Sequence, residues 1–419
     1  DEAIARDEVV DQLLQQAAGG HNAVLHAPRR FGKTTVVNLL LERAAEHGMP
    51  GALVDLSDVL SPADVAARLS QSYRSLPARW RDKVQRELAS ASVTTPLGGV
   101  GVGRRAAQPD PMEAVHALLD VLAQLAEREG QRVVVVFDEF QSLIDLKGFD
   151  GVFRSHLQHH ATVSYIFCGS EPSLLRSLFE DRARPLYGQA DLVSLGRLDI
   201  DAAADYLERE FANTGRDATQ VAYELAGPVA QGHPQRLMVV AHRLWQRVDE
   251  GERATMTELR AAYDAALRGV GPELKFLWDS LSPNERRVLG TLASGFSPYQ
   301  REGELFFGLA GRSSAQRSVE ALETRSIIEP TEPGLRIVDP LLERWVARRP
   351  RAARLNVYVV PRDGGYVVCD GPSLAFQRSS HATLADAEIA ATALAANAHG
   401  ADTMIFDTDD PNDLPGWAV

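Results

Sequence analysis

Through about residue 199, short apolar runs alternate with segments whose apolar residues recur every three or four positions. That is the pattern of strands and helices in a doubly wound parallel sheet. Asn22 to His26, Gly51 to Leu56, Val133 to Phe137, Val163 to Cys168 and Asp191 to Leu195 read as strands. Thr34 to His47 carries Val36, Val37, Leu40, Leu41 and Ala44 on a helical stripe that Gly48 stops. Ser61 and Pro62 supply an N-cap and an N1 proline for a second helix, and Pro111 to Arg128 is a third. Ser90 to Ala107, which includes Gly98-Gly99-Val100-Gly101-Val102-Gly103, shows neither period and reads as a loop or flexible hairpin.

From Asp199 to Leu281 the pattern is helical throughout, punctuated by Gly227-Pro228 and Gly232-His233-Pro234, the latter opening a helix from Gln235 to Val248. Ser282 to Arg349 then reads as a winged helix. Its helices are Pro283 to Ser294, Glu302 to Leu309, and one capped by Ser313 or Ser314 that ends near Arg325. Its hairpin joins Ile327-Ile328 to Leu335 through Val338. The last segment has strands at Asn356 to Val360, Tyr366 to Cys369 and Thr403 to Phe406, and an alanine-rich helix from Thr383 to Ala398. The expected fold class is α/β, with a P-loop core on a parallel sheet over 1–199 and a helical lid over 200–281. A winged helix over 282–350 and a small α/β domain over 351–419 complete it.

Bulk properties narrow the setting. A chain of 419 residues is too long for one hydrophobic core. With 45% hydrophobic residues and no apolar run near the length of a membrane span, a globular protein without a membrane partner is expected. The start, Asp1 to Asp7, has neither a basic nor an apolar signal region and lacks an initiator methionine, so a processed or trimmed chain without a secretory leader is expected. Only Cys168 and Cys369 are present, which disfavours a disulfide framework and fits a reducing cytoplasm. The formal charge of −13 argues against unselective coating of nucleic acid, though not against a local patch.

The chemistry is concentrated where strands end. Val24 to Thr35 runs from an apolar strand through Ala27-Pro28-Arg29-Arg30-Phe31-Gly32-Lys33-Thr34-Thr35 into a helix, the context of a phosphate-binding P-loop. Backbone N–H groups at a helix N-terminus suit the charge of a nucleoside triphosphate. Gly32 permits close approach, Lys33 reaches the β/γ-phosphates and Thr34 offers its hydroxyl to Mg²⁺. Ala27 stands where the consensus has its first glycine. Val133 to Phe137 ends in Asp138-Glu139, the form of a Walker B strand. Asp138 is expected on Mg²⁺ and Glu139 on the attacking water.

Ser170, after the strand Val163 to Cys168, is expected to sense the γ-phosphate if that strand neighbours the P-loop strand, with an N-cap before Pro172 as the bland alternative. His233 and Pro234 are expected against the base or ribose. His156, His159 and His160 share helical spacing, but no evident acidic or cysteine partner completes a metal site, so a solvated helix face is expected.

Taken as an ordered set, Arg6-Asp7-Glu8, the loop 27–35, Phe137-Asp138-Glu139-Phe140-Gln141, Gly169-Ser170, Pro185-Leu186-Tyr187-Gly188, Gly232-His233-Pro234 and Asp339 through Trp345 resemble the archaeal-type ATPases of the STAND class. These are signal-transduction P-loop ATPases related to the AAA+ fold, and the resemblance spans roughly residues 1 to 350. It implies a five-stranded nucleotide-binding core, a helical lid and a winged helix whose packing changes with ATP/ADP exchange. It also implies a departure, because Gln189 stands where the family often places arginine, which turns attention to Arg182 and Arg184. The sequence reading is therefore a Mg²⁺-dependent ATPase switch with ATP/ADP and Mg²⁺ as cofactors and a protein partner or further copies of itself. The alternatives are a DNA-binding regulator that presents Arg312, Gln316, Arg317 and Arg325 to a duplex, and an ATP-dependent loader of a mobile-element or defence system.

Overall fold

A computed structural model describes residues 4–90, 110–300, 307–309, 311–332, 334–349, 357–362, 364–369, 377–397 and 403–405. The expected loop from Ser90 to Ala107 lies almost wholly outside these residues, as does most of the expected helix from Glu302 to Leu309. The chain divides into two compact units, residues 1–266 with 324–326, and residues 267–323 with 327–419.

The first unit is built on a five-stranded sheet of β1 (Ala23–His26), β2 (Gly51–Asp55), β3 (Val133–Asp138), β4 (Val163–Gly169) and β5 (Asp191–Ser194). All pairings are parallel and the spatial order is β2-β3-β4-β1-β5. β4 thus separates the P-loop strand β1 from the acid-tipped strand β3. A central parallel strand is covered on both faces, so it must be apolar without alternation. Every residue of β4 is buried, and in β3 only Asp138 at the tip is not fully so. Asn22 fixes register at the start of β1: its Oδ1 accepts the Tyr165 N–H at 2.9 Å, and its Nδ2 donates to the Gln189 carbonyl at 3.2 Å.

Helices flank the sheet with the stops and starts that the sequence announces. The helices are α1 (Asp7–Gly19), α2 (Lys33–Glu46), α3 (Pro62–Ser72), α4 (Ala78–Ser90), α5 (Pro111–Glu129), α6 (Phe149–His159) and α7 (Pro172–Glu180). Ser61 caps α3 by accepting the Asp64 N–H, with Pro62 at N1. Asp110 does the same for α5, and Gly130 ends α5 in the left-handed conformation. On α6, Phe149 and Phe153 face inward, and Phe153 meets Phe137, Phe140 and Phe167, with Phe140 and Phe167 centroids 4.5 Å apart and Phe137 edge-on to Phe153 at 5.0 Å.

This inward stripe corrects the expectation of a solvated histidine face. His156 and His160 continue Phe149 and Phe153 at spacings of three and four, and their side chains are only 7% and 8% exposed; His159 alone of the three is exposed. Burial holds the His156 imidazole down to about 4 and lowers His160 as well. An acidic partner does exist: Asp120 on α5 lies 2.9 Å from His156 and 3.0 Å from His160.

A helical region completes the first unit with α8 (Ile200–Ala212), the short α9 (Ala222–Glu224), α10 (Pro234–Trp245) and the first part of α11 (Met256–Ser280). It has its own apolar core around Leu207, Phe211, Leu225, Leu237, Val240 and Leu244. Pro228 sits in a π-helical turn from Leu225 to Val229, where the ordinary helical hydrogen-bond ladder is already broken.

In the second unit, α12 (Pro283–Leu292) opens with a reciprocal capping box between Ser282 and Glu285. It packs with the helix Pro340–Ala347 and the hairpin of β6 (Ile328–Thr331) and β7 (Gly334–Ile337), an arrangement resembling a winged helix. On the helix Arg312–Thr324, Arg312, Gln316 and Arg317 are exposed, but Gln316 donates to Glu320 at 3.0 Å. The second sheet has the order β10-β9-β8-β11, formed by β8 (Val357–Arg362), β9 (Gly365–Cys369), β10 (Gln377–His381) and β11 (Thr403–Ile405). The helix Leu384–Asn397 packs on it. β10, Gln377-Arg378-Ser379-Ser380-His381, is absent from the sequence reading because it carries no apolar residue.

Phe137→Ala removes the ring shared by Phe140, Phe153, Tyr165 and Phe167. The expected loss is about 3–5 kcal/mol, measured as a lower thermal midpoint for the sheet-bearing unit. An unchanged midpoint would show that this aromatic cluster does not hold the core together.

Candidate functional site

Three parallel strands deliver their carboxyl ends to one edge of the sheet, where open α/β folds place their ligand sites. His26 at the end of β1 is paired with Gly169 at the end of β4, and Phe137 pairs with Phe167, so the P-loop, Asp138-Glu139 and Ser170 arrive together. A cavity of about 1280 Å³ opens there. Of the residues expected from sequence, Arg29, Arg30, Phe31, Gly32, Lys33, Thr34, Thr35, Asp138, Glu139, Ser170 and Pro234 line it.

The loop wraps an anion-sized hollow for local reasons. Gly32 adopts φ +89° at the N-cap of α2, a left-handed conformation that glycine takes without strain. The first turn of α2 has neither a side-chain cap nor an acidic residue, so its free N–H groups and the positive helix end suit phosphate. Lys33 is 8% exposed and donates through Nζ to the carbonyls of Ala27 at 3.0 Å and Pro28 at 3.2 Å. Burial lowers its ammonium from the ordinary value, against the opposing pull of Glu139 and Asp138. Ala27 is tolerated in the glycine position because it is 1% exposed and contributes through its carbonyl.

The acidic side is equally organised. Burial raises the Asp138 carboxyl above the usual carboxylate range, and its Oδ1 accepts the Glu139 N–H at 3.0 Å. Glu139 has φ +53° and turns its carboxylate back toward β4, where Oε2 accepts from Ser170 Oγ at 2.7 Å and also from Gln141 Nε2. Arg29 Nε donates to the same Ser170 hydroxyl at 3.4 Å. Ser170 is therefore not the cap of α7; Glu171 occupies that place without capping through its side chain. Gln141 escaped the sequence reading as a site residue. Its carboxamide lies against Gly169, where a Cβ would overlap Gln141 Oε1 and force the end of the glutamine to move.

Two further residues depart from expectation. His233 is 3% exposed and does not line the cavity; it caps α10 by accepting the Arg236 N–H at 3.4 Å, and its ring packs on Phe31 with centroids 4.8 Å apart. Pro28 likewise contributes a carbonyl rather than a wall. Residues that sequence reasoning missed form the far wall: Ile4, Leu198, Tyr206 and Met238, drawn from segments more than two hundred positions apart. Arg6, quoted only for a family likeness, is 6% exposed and donates through Nη2 to the carbonyls of Phe31 at 3.2 Å and Gly196 at 2.9 Å. It ties the P-loop to the entry of the helical region, and burial brings its guanidinium down to about 10.

Comparison with known proteins agrees with this geometry. Residues 2–150 match the family model of the AAA ATPase domain. The Walker-type ATPase of Pyrococcus abyssi superposes with a TM-score of 0.60 at 19% identity, over 82% of this chain and 96% of its own. The Aeropyrum pernix ORC2 protein in its ADPNP–ADP complexes gives 0.52 at 13% identity, over 83% and 93%. The ADP form of that protein gives 0.50 at 13%, over 83% and 96%. These likenesses show the fold. No curated protein sequence matches the chain. Residues 2–150 thus form a P-loop domain of the AAA ATPase type.

Arg6→Ala leaves two carbonyls without their charged donor. It is expected to cost about 2–3 kcal/mol and to speed amide exchange from Phe31 to Thr35, whereas Arg6→Lys recovers part of the loss. Exchange rates equal to wild type in Arg6→Ala would show that the P-loop is held by other contacts.

Proposed function

We propose that the chain is a Mg²⁺-dependent ATPase that works as a nucleotide-state switch of the STAND type. The observation that carries this reading is the placement of Glu139 on Ser170 and Gln141, across one cavity from Lys33 and the uncapped start of α2. A lone phosphate site would need only the loop; the carboxylate at the end of β3 adds a base.

The residues divide by chemistry. The N–H groups from Arg30 through Thr35 cradle the phosphates, and Lys33 leaves its carbonyl partners to reach the β/γ end. Thr34 and Asp138 are the oxygen donors for Mg²⁺, which supplies charge neutralisation at the phosphates. Glu139 orients and deprotonates the attacking water, for which it must loosen its bond from Ser170. Ser170 then reports the γ position to β4. Ile4, Leu198, Tyr206, Pro234 and Met238 offer the apolar and aromatic wall that a base requires.

Switching follows from who owns that wall. Tyr206 and Met238 belong to α8 and α10 of the helical region, whereas Lys33 at the start of α2, Asp138 at the tip of β3 and Glu139 just after it belong to the sheet-bearing core. A ligand touching both shifts their relative packing by its differential affinity for the two arrangements. The absence of arginine at Gln189 fits slow intrinsic turnover that a partner accelerates.

Mg²⁺-ATP binding and single-turnover hydrolysis test the proposal. Glu139→Gln should bind ATP normally and lose about 10²–10⁴-fold in the chemical step, and Lys33→Ala should bind at least tenfold more weakly. Unimpaired hydrolysis by Glu139→Gln would remove it as the base; a wild-type chain that binds no nucleotide would refute the switch.

A further inference from the structure

We infer that Asp120, His156 and His160 form a binding site for a zinc-class divalent metal ion, separate from the nucleotide cavity. Among the described residues these three side chains bring ligand atoms within 4.8 Å of one another, and none of them lines the cavity at the sheet edge.

The geometry is closer than clustering alone requires. His156 Nδ1 lies 2.9 Å from Asp120 Oδ1, His160 Nε2 lies 3.0 Å from the same oxygen, and the two ring nitrogens are 3.4 Å apart. Three donors shared by one tetrahedral zinc, at bond lengths near 2.1 Å, stand about 3.4 Å from each other. The two triangles differ by about half an ångström at their most compressed edge.

The scaffold supplies this without strain. His156 and His160 are one helical turn apart at α6 and its C-cap, and Asp120 faces them from α5. Helical neighbours at i and i+4 share one face, so the pair presents two imidazoles side by side. The remote nitrogen of each ring is already engaged: His156 Nε2 lies 2.8 Å from His116 Nδ1, and His160 Nδ1 lies 2.7 Å from Tyr165 Oη. Such outer partners fix ring orientation in metal-binding histidines, leaving the inner nitrogen for the ion. His116 is itself one turn from Asp120 on α5, so that helix supplies one ligand and the support of His156, α6 with its C-cap supplies two ligands, and β4 supplies Tyr165 behind His160.

Ligand type selects the metal. Two imidazoles and one carboxylate suit zinc and neighbouring first-row ions, and they suit Mg²⁺ or Ca²⁺ poorly. The side chain of Asp120 is 43% exposed, which gives an ion its route in and leaves the fourth position to water. Hydrogen bonding alone also satisfies these groups, so the experiment must separate the two states.

Zn²⁺ alone is titrated into the chelator-treated full chain in excess Mg²⁺, with Co²⁺ as the absorbing substitute. Wild type is expected to take up one zinc per chain, to gain thermal midpoint reversibly with chelator, and to give the intense visible bands of four-coordinate cobalt. Asp120→Asn and His160→Gln, each checked for native circular dichroism, should bind at least about 100-fold more weakly, and His116→Ala about 10–100-fold. If wild type binds no stoichiometric zinc in excess Mg²⁺, or if Asp120→Asn and His160→Gln bind as tightly as wild type, the site does not exist. Because His116→Ala alters no proposed ligand, its weaker binding beside an intact cobalt spectrum also distinguishes support from coordination. These readouts are independent of ATP hydrolysis.

Discussion

The parallel pairing of β4 between β1 and β3 is the constraint on which the functional edge depends. A strand in that position has no face toward water, so its seven residues are all buried and it can present polar chemistry only beyond its carboxyl end. That end is Gly169-Ser170. The hydroxyl of Ser170 reaches Glu139 from one side and Arg29 from the other, which joins the acidic strand to the P-loop through a third strand. Were β1 and β3 direct neighbours, the two motifs would abut without a reporter between them.

Around this edge, burial sets the electrostatics. Lys33 and Asp138 are both withdrawn from water, and each is pushed toward its neutral form by desolvation while being drawn back by the opposite charge nearby. The helical region brings Tyr206, Pro234 and Met238 to the same cavity, together with the carboxylate of Glu210.

Much of this was legible in the amino-acid sequence because the relevant signals are local. An apolar run ending in Asp138-Glu139, a Gly-Lys-Thr entering a helix, and Ser61 before Pro62 each act within a few residues, and each appears where the pattern puts it. The Ser170 hydroxyl was legible for the same reason. What escaped depends on contacts that sequence spacing cannot weigh. His156 and His160 read as solvated because no acid or cysteine near them in the sequence completes a site, yet they extend an aromatic stripe and their partner, Asp120, lies 40 positions before His160. Strand β10 has no hydrophobic pattern, and it forms because β9 offers it a ladder. Arg6 reads as an ordinary surface charge until its two carbonyl acceptors, one of them 190 residues distant, are seen. His233 was placed against the ligand when its ring in fact supports Phe31 from behind.

The bare backbone at Gly169 has a consequence for how this chain can change over evolutionary time. The space that a side chain would fill is taken by the Gln141 carboxamide, which in turn holds the carboxylate of Glu139. Positions 141 and 169 are therefore coupled: a methyl group gained on the strand must be met by movement or loss of atoms at the end of the glutamine, and either changes how the Glu139 carboxylate is held. Substitution at this pair thus alters the cradle of that acid over descent while the sequence of the P-loop stays as it is.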